Sequence, residues 1–422
     1  MEEKTRSRRD FIQNITITLL SLLAVVLFVR TQVYGRSFSA LSSLAAPTPT
    51  SSAVIAENTS RFSGPVRVAV SGSYGRYGSI TLSTASDSFA PLGNLLGEAL
   101  RSVQTYAESS EAELLKALEH PSVYYDFLLS LPLSVMAGFV DSTGDDTLSA
   151  RRLVLSEPDG NGVMLYLRDD AGRCLRCTTA LSGQALENVI SQYEQGSAVF
   201  AFDTVQTYGE YAVQPLSLFL TEPELPLLAS AVRSVPSDQV LSALGFNPHT
   251  QTRWTETSGT EVIVDGDRTL RIRSDGTLDY QSGGSTALQV TAAGALPTLW
   301  EAASDVSTLL SALLPEGCEA QLYLRSFSRS GASMTLSFDY QYNGIPIRFS
   351  DGSTAARVTL SGAAVSSITF AARQYAAGDE TALLLPLQQA MAVTAQKTPE
   401  RELFIGYADY GTEQTAPQWL SE

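Results

Sequence analysis

The chain has 422 residues, of which 44% are apolar and only 17% are charged. This length supports two or three domains with their own cores, and the apolar content excludes disorder over most of the chain. Three Cys and two His exclude a small disulfide-stapled fold and leave few ligands for a zinc or iron–sulfur site. The net charge of −16 combines a slightly basic start with an acidic body, which does not suit nucleic-acid binding because phosphates require clustered cations.

An apolar segment follows the basic N terminus. Phe11–Val29 contains no charged side chain, and a helix of this length spans roughly 28 Å, close to the hydrocarbon thickness of a bilayer. Four cations lie in the first ten residues, which favours a cytoplasmic N terminus. We therefore predict a cytoplasmic tail over residues 1–10, a transmembrane helix over residues 11–30 and an extracytoplasmic body.

This segment has alternative interpretations. A cleaved signal peptide is one, but its apolar core is usually about 7–15 residues long, which favours an uncleaved anchor here. The Arg8-Arg9 pair also resembles a twin-arginine export signal. Asn14, Thr18 and Ser21 form one helical stripe. They either hydrogen-bond to another transmembrane helix or are small polar residues tolerated near the interface.

Residues 31–64 are rich in Ser, Ala and Pro, which predicts a linker. An N-terminal α+β domain follows over residues 65–222. Its predicted strands are 66–70, 79–83, 123–131, 152–155, 163–168 and 173–179. Its predicted helices are 89–107, 111–118 and 185–193. Ser109 and Ser110 provide an N-terminal cap for the second of these helices.

Residues 223–290 form a predicted middle β-hairpin domain. Asp265-Gly266 and Asp275-Gly276 are hairpin turns between strands of alternating polarity. The predicted elements are a helix at 238–244 and strands at 261–264, 269–272 and 278–280.

Residues 291–422 form a predicted C-terminal α+β domain in which a helix packs across a curved antiparallel sheet. The elements are helices at 299–314 and 383–395 and strands at 321–327, 333–342, 345–349, 356–360, 364–375 and 402–407. The fold class predicted for the whole chain is α+β, with a single N-terminal transmembrane helix followed by a multi-domain ectodomain of antiparallel sheets with packed helices.

Cys174 and Cys177 form the one motif that suggests chemistry. A Cys-x-x-Cys pair is redox-active where it opens a helix, since the dipole lowers a thiol pKa. Here the pair lies in a predicted strand, and residues three apart on a strand point to opposite faces. Zinc would need two further ligands, and only Cys318, His120 and His249 are available. We interpret the cysteines as structural, with a surface disulfide or a metal or redox role as alternatives.

The remaining titratable residues form no catalytic pattern. His120 closes a predicted helix, and His249 lies in a turn. Neither is accompanied by a nucleophile motif. The carboxylate pairs Asp145-Asp146 and Asp169-Asp170 lie at turn positions, which is typical of solvated side chains. The sequence therefore predicts no catalytic, cofactor-binding or metal-binding residues, no cofactor and no enzymatic activity.

Three stretches carry a family resemblance. They are Pro65–Tyr77, Leu244–Tyr280 with its Val264–Leu270 strand, and Phe338–Tyr375. Together with a basic tail, an apolar segment and an acidic body, this order resembles the YycH/YycI-type regulatory proteins of Gram-positive bacteria. The third stretch is similar to the YycI-like terminal domain. The Cys-x-x-Cys pair is not a feature of that family.

The resemblance implies a membrane-anchored extracytoplasmic regulator that binds and modulates the sensor histidine kinase of a cell-wall-related two-component system. It implies the kinase, and a paralogous accessory protein, as partners. It carries no catalytic residues. An extracytoplasmic cell-wall ligand-binding module without catalytic activity is the alternative, while an extracytoplasmic hydrolase would require a clustered nucleophile and base.

Overall fold

The computed structural model describes residues 64–72, 76–80, 87–158, 160, 162–221, 223–232, 237–283, 287–290 and 296–422. The helices are α1 Ala90–Arg101, α2 Glu111–Leu118, α3 Leu133–Gly138, α4 Gly183–Ile190, α5 Val205–Tyr208, α6 Ser237–Ala243, α7 Leu299–Ala312 and α8 Leu387–Lys397.

The first fourteen strands lie in the N-terminal and middle parts of the chain. They are β1 Arg67–Ser71, β2 Tyr77–Ile80, β3 Thr105–Ser109, β4 Ser122–Pro132, β5 Ser149–Ser156, β6 Met164–Arg168, β7 Cys174–Thr178, β8 Ala198–Phe200, β9 Leu218–Leu220, β10 Leu225–Val232, β11 Thr252–Thr255, β12 Glu261–Asp265, β13 Arg268–Ile272 and β14 Thr277–Ser282. The others are β15 Gln321–Ser330, β16 Ser333–Tyr342, β17 Ile345–Phe349, β18 Ala356–Ser361, β19 Ala364–Ala371, β20 Arg373–Ala382, β21 Leu403–Asp409, β22 Gln414–Thr415 and β23 Pro417–Ser421.

The strands form three sheets. A 9-stranded sheet has the order β3-β7-β6-β5-β4-β1-β2-β8-β9, and a 3-stranded sheet has the order β20-β10-β22. An 11-stranded sheet runs β11-β12-β13-β14-β19-β18-β16-β17-β21-β23, with β15 also paired to β16. Within it, β17 and β21 are parallel, with Ile347 opposite Tyr407. Among the strands that the structure describes, β23 is therefore an edge of this sheet.

The predicted fold class was wrong. The parallel β17–β21 pair makes the largest sheet mixed instead of antiparallel, and strands greatly outnumber helices in the part of the chain that is described. The parallel pairing arises because a long connection, containing β18, β19, β20 and α8, separates the two strands. Hairpin signals in a sequence report only pairs that are adjacent along the chain.

None of the helices between residues 64 and 422 that the structure describes is long and apolar enough to span a membrane. The predicted tail 1–10 and transmembrane helix 11–30 lie outside the described residues, as does all but the last residue of the predicted linker 31–64.

Many predicted elements agree with the structure. The cap of α2 is confirmed, because the Ser110 side chain accepts a hydrogen bond from the Glu113 backbone N–H. Both Asp-Gly turns are confirmed, with Gly266 and Gly276 at φ values of 63° and 80°. The predicted helix 89–107 was too long, because it ends at Arg101 and residues 105–109 form β3, which pairs with β7.

The described residues all belong to one compact unit, Ser52–Glu422. The largest sheet crosses the predicted boundary at residue 290, because β14 pairs with β19. Strand β10 pairs with β20 over the same boundary. The middle hairpins and the C-terminal strands thus share one hydrogen-bonded framework.

Candidate protein-docking site

Exposed apolar side chains concentrate around α8. Leu383 is fully exposed, and Leu385 and Val393 retain 54% and 43% of their accessible surface. Exposing three large aliphatic side chains on one surface is unfavourable in water. Such patches mark interaction sites when they are contiguous. This part of the structure is therefore the candidate functional site.

Helix α8 is placed by its apolar inner face. Pro386 precedes the first helical residue, and its carbonyl accepts from the Ala390 N–H. Ala390, Met391 and Thr394 are buried, and the first two belong to a small core with Phe219 and Leu403. Val393 lies outside this buried stripe, so the helix covers the sheet with one face and presents the other.

Strand β23 forms the opposite wall of the site. It pairs antiparallel with β21, with Leu403 opposite Ser421. Glu402 and Glu422 exchange both backbone hydrogen bonds, at 3.0 and 3.1 Å. Because directly bonded and non-bonded pairs alternate in an antiparallel ladder, the backbone groups of Ser421 and Trp419 point away from β21.

Pro417 supports this register. It lies two residues before Trp419, so it occupies another outward-pointing position of β23. Proline lacks an N–H and is confined in sheets to positions where no ladder bond is required. A proline here therefore removes no bond between β21 and β23, and it marks the free side of the edge strand.

Helix α8 and strand β23 enclose a groove of about 400 Å³, which we call the α8 groove. Trp419 Nε1 donates to the Leu385 carbonyl at 2.9 Å, and the Thr398 hydroxyl donates to Ser421 Oγ at 3.2 Å. These bonds join each end of the helix to β23. The lining residues are Leu383, Leu384, Leu385, Ala390, Val393, Thr394, Lys397, Thr398, Pro417, Gln418, Trp419, Leu420 and Ser421.

Lys397 is the only charged residue among the described side chains that line the α8 groove. It lies in the last turn of α8 and is exposed. The remaining lining is apolar or neutral, so the groove combines an apolar surface with a single positive charge at one end. This combination suits an apolar protein segment that carries a carboxylate.

A buried charge cluster fixes the strand on which the groove is built. Glu402, next to β21, accepts from Arg67 at 2.7 Å, from Arg151 at 2.7 Å and from Arg152 at 2.6 Å. Arg151 also donates to Asp126 at 2.9 and 3.2 Å. The cluster thereby ties β1, β4 and β5 of the 9-stranded sheet to the start of β21.

The carboxylates of this cluster are held ionised. Burial alone would raise the pKa of Asp126, but the guanidinium groups of Arg151, Arg152 and Arg67 outweigh it and hold that pKa well below its usual range. The pKa of Glu402 is lowered in the same way, against the effect of burial. The cluster is therefore charged at neutral pH and serves as a rigid cross-link.

The structure places the cysteines of the Cys-x-x-Cys motif in β7, on opposite faces. Cys174 packs in one apolar core and Cys177 in another, as predicted for residues three apart on a strand. Both are buried free thiols, and Cys318 is also free. Burial raises the pKa of Cys177 to about 11 and also raises that of Cys174, so neither thiol is activated as a nucleophile.

The predicted histidine and carboxylate candidates are not brought together. His249 is exposed in a turn, where its backbone N–H donates to Asn247 Oδ1 at 2.9 Å. Asp145 accepts from Thr147, and Asp169 accepts from the Arg173 N–H. Within the described ranges, no group of three or more His, Cys, Asp and Glu side chains is arranged to hold a metal ion.

Sequence reasoning missed the α8 groove. The predicted helix 383–395 begins at the run Leu383-Leu384-Leu385, whereas α8 begins only after Pro386 and ends at Lys397. Strand β23 was not predicted at all. The available signal was the proline itself, since the residue before proline is disfavoured in the helical region and helices commonly begin just after it.

No protein-family model, curated protein or solved structure matches the chain.

Proposed function

We propose that this protein is a non-catalytic regulator that binds a sensor histidine kinase of a cell-wall-related two-component system through the α8 groove. The single observation that carries the proposal is the exposed apolar surface formed by Leu383, Leu385 and Val393 beside the edge strand β23. The resemblance of three sequence stretches to YycH/YycI-type regulators supports the choice of partner. A paralogous accessory protein is a second partner in this proposal.

The regulator would act by differential binding. A protein that binds one state of a kinase more tightly than another shifts the population between them. If only one kinase state buries the groove's leucines, docking supplies the few kcal/mol that such a bias requires, because burying one Leu side chain contributes roughly 1.5–3 kcal/mol. No chemical step in the regulator is needed for this activity.

The test replaces the apolar surface while keeping the fold. Leu383→Ser combined with Leu385→Ser should reduce co-purification of the co-expressed kinase and alter expression of its target genes. Leu296→Ser is a matched control, because Leu296 is 55% exposed and lies outside the groove. Equal kinase recovery with the double variant and with the control would contradict the proposal.

The proposal places the body outside the cytoplasm at the cell membrane. Protease added to intact protoplasts should then digest the body while leaving cytoplasmic marker proteins intact. Full protection of the body would contradict this location.

A second candidate function is a ligand-binding module for cell-wall fragments. It is favoured by a cavity of about 600 Å³ between α2, α8 and the 201–215 segment. Its lining combines apolar Phe202, Val213 and Met391 with the Arg168–Glu111 ion pair, whose N–O distance is 3.1 Å. Isothermal titration with soluble muropeptides tests this function, and Val205→Trp, at a lining residue that is 45% exposed, should abolish any heat of binding by filling the cavity.

A further inference from the structure

We infer that the α8 groove binds its partner as an extended peptide segment that adds a strand to the free edge of β23, with a carboxylate of the segment near Lys397. This inference rests on the proposed function in that it names the kind of partner segment that the docking site accepts. Peptide recognition by strand addition uses main-chain hydrogen bonds for affinity and side-chain contacts for specificity.

The first observation is the direction of the backbone groups. The exchanged hydrogen bonds between Glu402 and Glu422 fix the register, so the N–H and carbonyl groups of Trp419 and Ser421 point to the free side of β23. Exposed strand edges are templates for pairing with another chain. The edge therefore offers two donors and their neighbouring carbonyl groups to an incoming strand.

The second observation is the position of α8 beside this edge. The hydrogen bond from Trp419 Nε1 to the Leu385 carbonyl and the bond from Thr398 to Ser421 hold the helix segment along β23. A segment paired with β23 would direct every second side chain towards the face of the sheet on which Trp419 and Ser421 bond to the helix segment, where Val393 and Leu383 line the groove. An edge strand flanked by a helix with an apolar wall is suited to an extended chain.

The third observation is charge. Lys397 is the single charged side chain among the described residues of the groove lining, and it lies at the end of α8 nearest Thr398 and Ser421. A C-terminal carboxylate on the partner segment would pair with it. The ammonium group therefore sets which end of the added strand lies beside Ser421.

The test uses the full-length chain and two fluorescein-labelled synthetic peptides of alternating valine and threonine. One ends in a free carboxylate and the other in an amide. The wild-type chain should bind the carboxylate peptide more tightly, by roughly two- to fivefold, because an exposed ion pair contributes little. Lys397→Met should remove this preference and leave binding of the amidated peptide unchanged.

Ser421→Pro removes an outward N–H and places a ring on the free edge. It should weaken binding of both peptides by roughly fivefold or more, the effect of losing one hydrogen bond. Ser421→Ala keeps the N–H but also loses the Oγ that accepts from Thr398, so the extra loss of binding in Ser421→Pro relative to Ser421→Ala measures the N–H. The melting temperature of Ser421→Pro should match that of Ser421→Ala, because both lose the bond from Thr398 and the register assigns this N–H no partner in β21.

Hydrogen exchange in the wild-type chain provides a measurement that needs no variant. The amides of Trp419 and Ser421 should become protected when the carboxylate peptide binds. Absence of peptide binding, equal binding by Ser421→Pro, or unchanged exchange at both amides would each overturn strand addition.

The kinase experiment separates this inference from the proposed function. If Leu383→Ser with Leu385→Ser abolishes kinase recovery but Ser421→Pro does not, the kinase docks on the groove without adding a strand, and this inference is wrong. If the peptide results hold but neither variant changes kinase recovery, strand addition stands and the kinase is not the partner.

Discussion

Arg152 and Glu402 lie 250 residues apart in the chain, and their side chains form a buried hydrogen bond of 2.6 Å. Arg152 belongs to β5 of the 9-stranded sheet, whereas Glu402 immediately precedes β21 of the largest sheet. The pair thus joins the N-terminal strands to the strand that carries the candidate docking site. The positions of β21 and β23 depend on a contact that folding makes between distant segments.

Glu402→Gln should destabilise the protein by about 3–5 kcal/mol. The variant leaves Arg67, Arg151 and Arg152 buried with Asp126 as the one remaining buried carboxylate of the cluster, and an uncompensated buried charge is costly. Urea denaturation followed by circular dichroism measures the change. Arg173→Ala is the control. The Arg173 side chain is mostly exposed where it pairs with Asp169, and an exposed ion pair contributes little to stability. Similar midpoints for both variants would contradict a structural role of the cluster.

Stability should decrease at acidic pH. The pKa values of Asp126 and Glu402 are lowered in the folded protein, and the unfolded values are about 3.9 and 4.3. A carboxyl group whose pKa is lower in the folded than in the unfolded protein stabilises the fold at pH values above its unfolded pKa. This stabilisation is lost as the pH falls through its folded pKa. The melting temperature should stay nearly constant from pH 7 to about pH 5 and fall below about pH 4. A weaker dependence of the melting temperature on acidic pH in Glu402→Gln would support the role of Glu402 in this effect. A dependence identical to that of the wild type would refute it.

The buried thiols should resist alkylation in the folded protein. Burial raises the pKa of Cys177 to about 11, so only a small fraction is thiolate at pH 8, and the thiolate is the reactive species. Iodoacetamide at pH 8 should leave Cys174 and Cys177 unmodified in native buffer and modify both in urea. Mass spectrometry of tryptic peptides provides the measurement. Rapid native modification of the pair would show that β7 is not packed as described.

Gly344→Ala should be more destabilising than Gly352→Ala. Both glycines have positive φ angles, 77° and 76°, so alanine is strained at either position. A Cβ at Gly344 would lie 2.9 Å from the Val66 carbonyl oxygen, whereas one at Gly352 meets nothing within 4 Å. The difference between their unfolding free energies isolates the steric cost, which we expect to exceed about 1 kcal/mol. Equal unfolding free energies would mean that Val66, the residue before β1, does not approach this turn.

The sequence by itself determined the elements that local chemistry specifies. Alternating polarity and the turns at Gly266 and Gly276 predicted β12, β13 and β14, and Ser110 predicted the start of α2. The opposite-face placement of Cys174 and Cys177 also followed from the strand period alone. These features depend on residues within a few positions of one another, so they can be predicted without knowledge of the tertiary structure.

Only the tertiary structure decided the pairings between distant segments. The predicted helix 89–107 includes Thr105–Ala107, but these residues belong to β3 because β7 offers them a partner. Segments that are far apart in the sequence must meet to form the parallel β17–β21 pair and to place β23 at the sheet edge. The same is true of the burial of Glu402 against Arg152. Closing such long loops costs entropy that only the packing and hydrogen bonds of the complete fold offset, and no local pattern in the sequence records that balance.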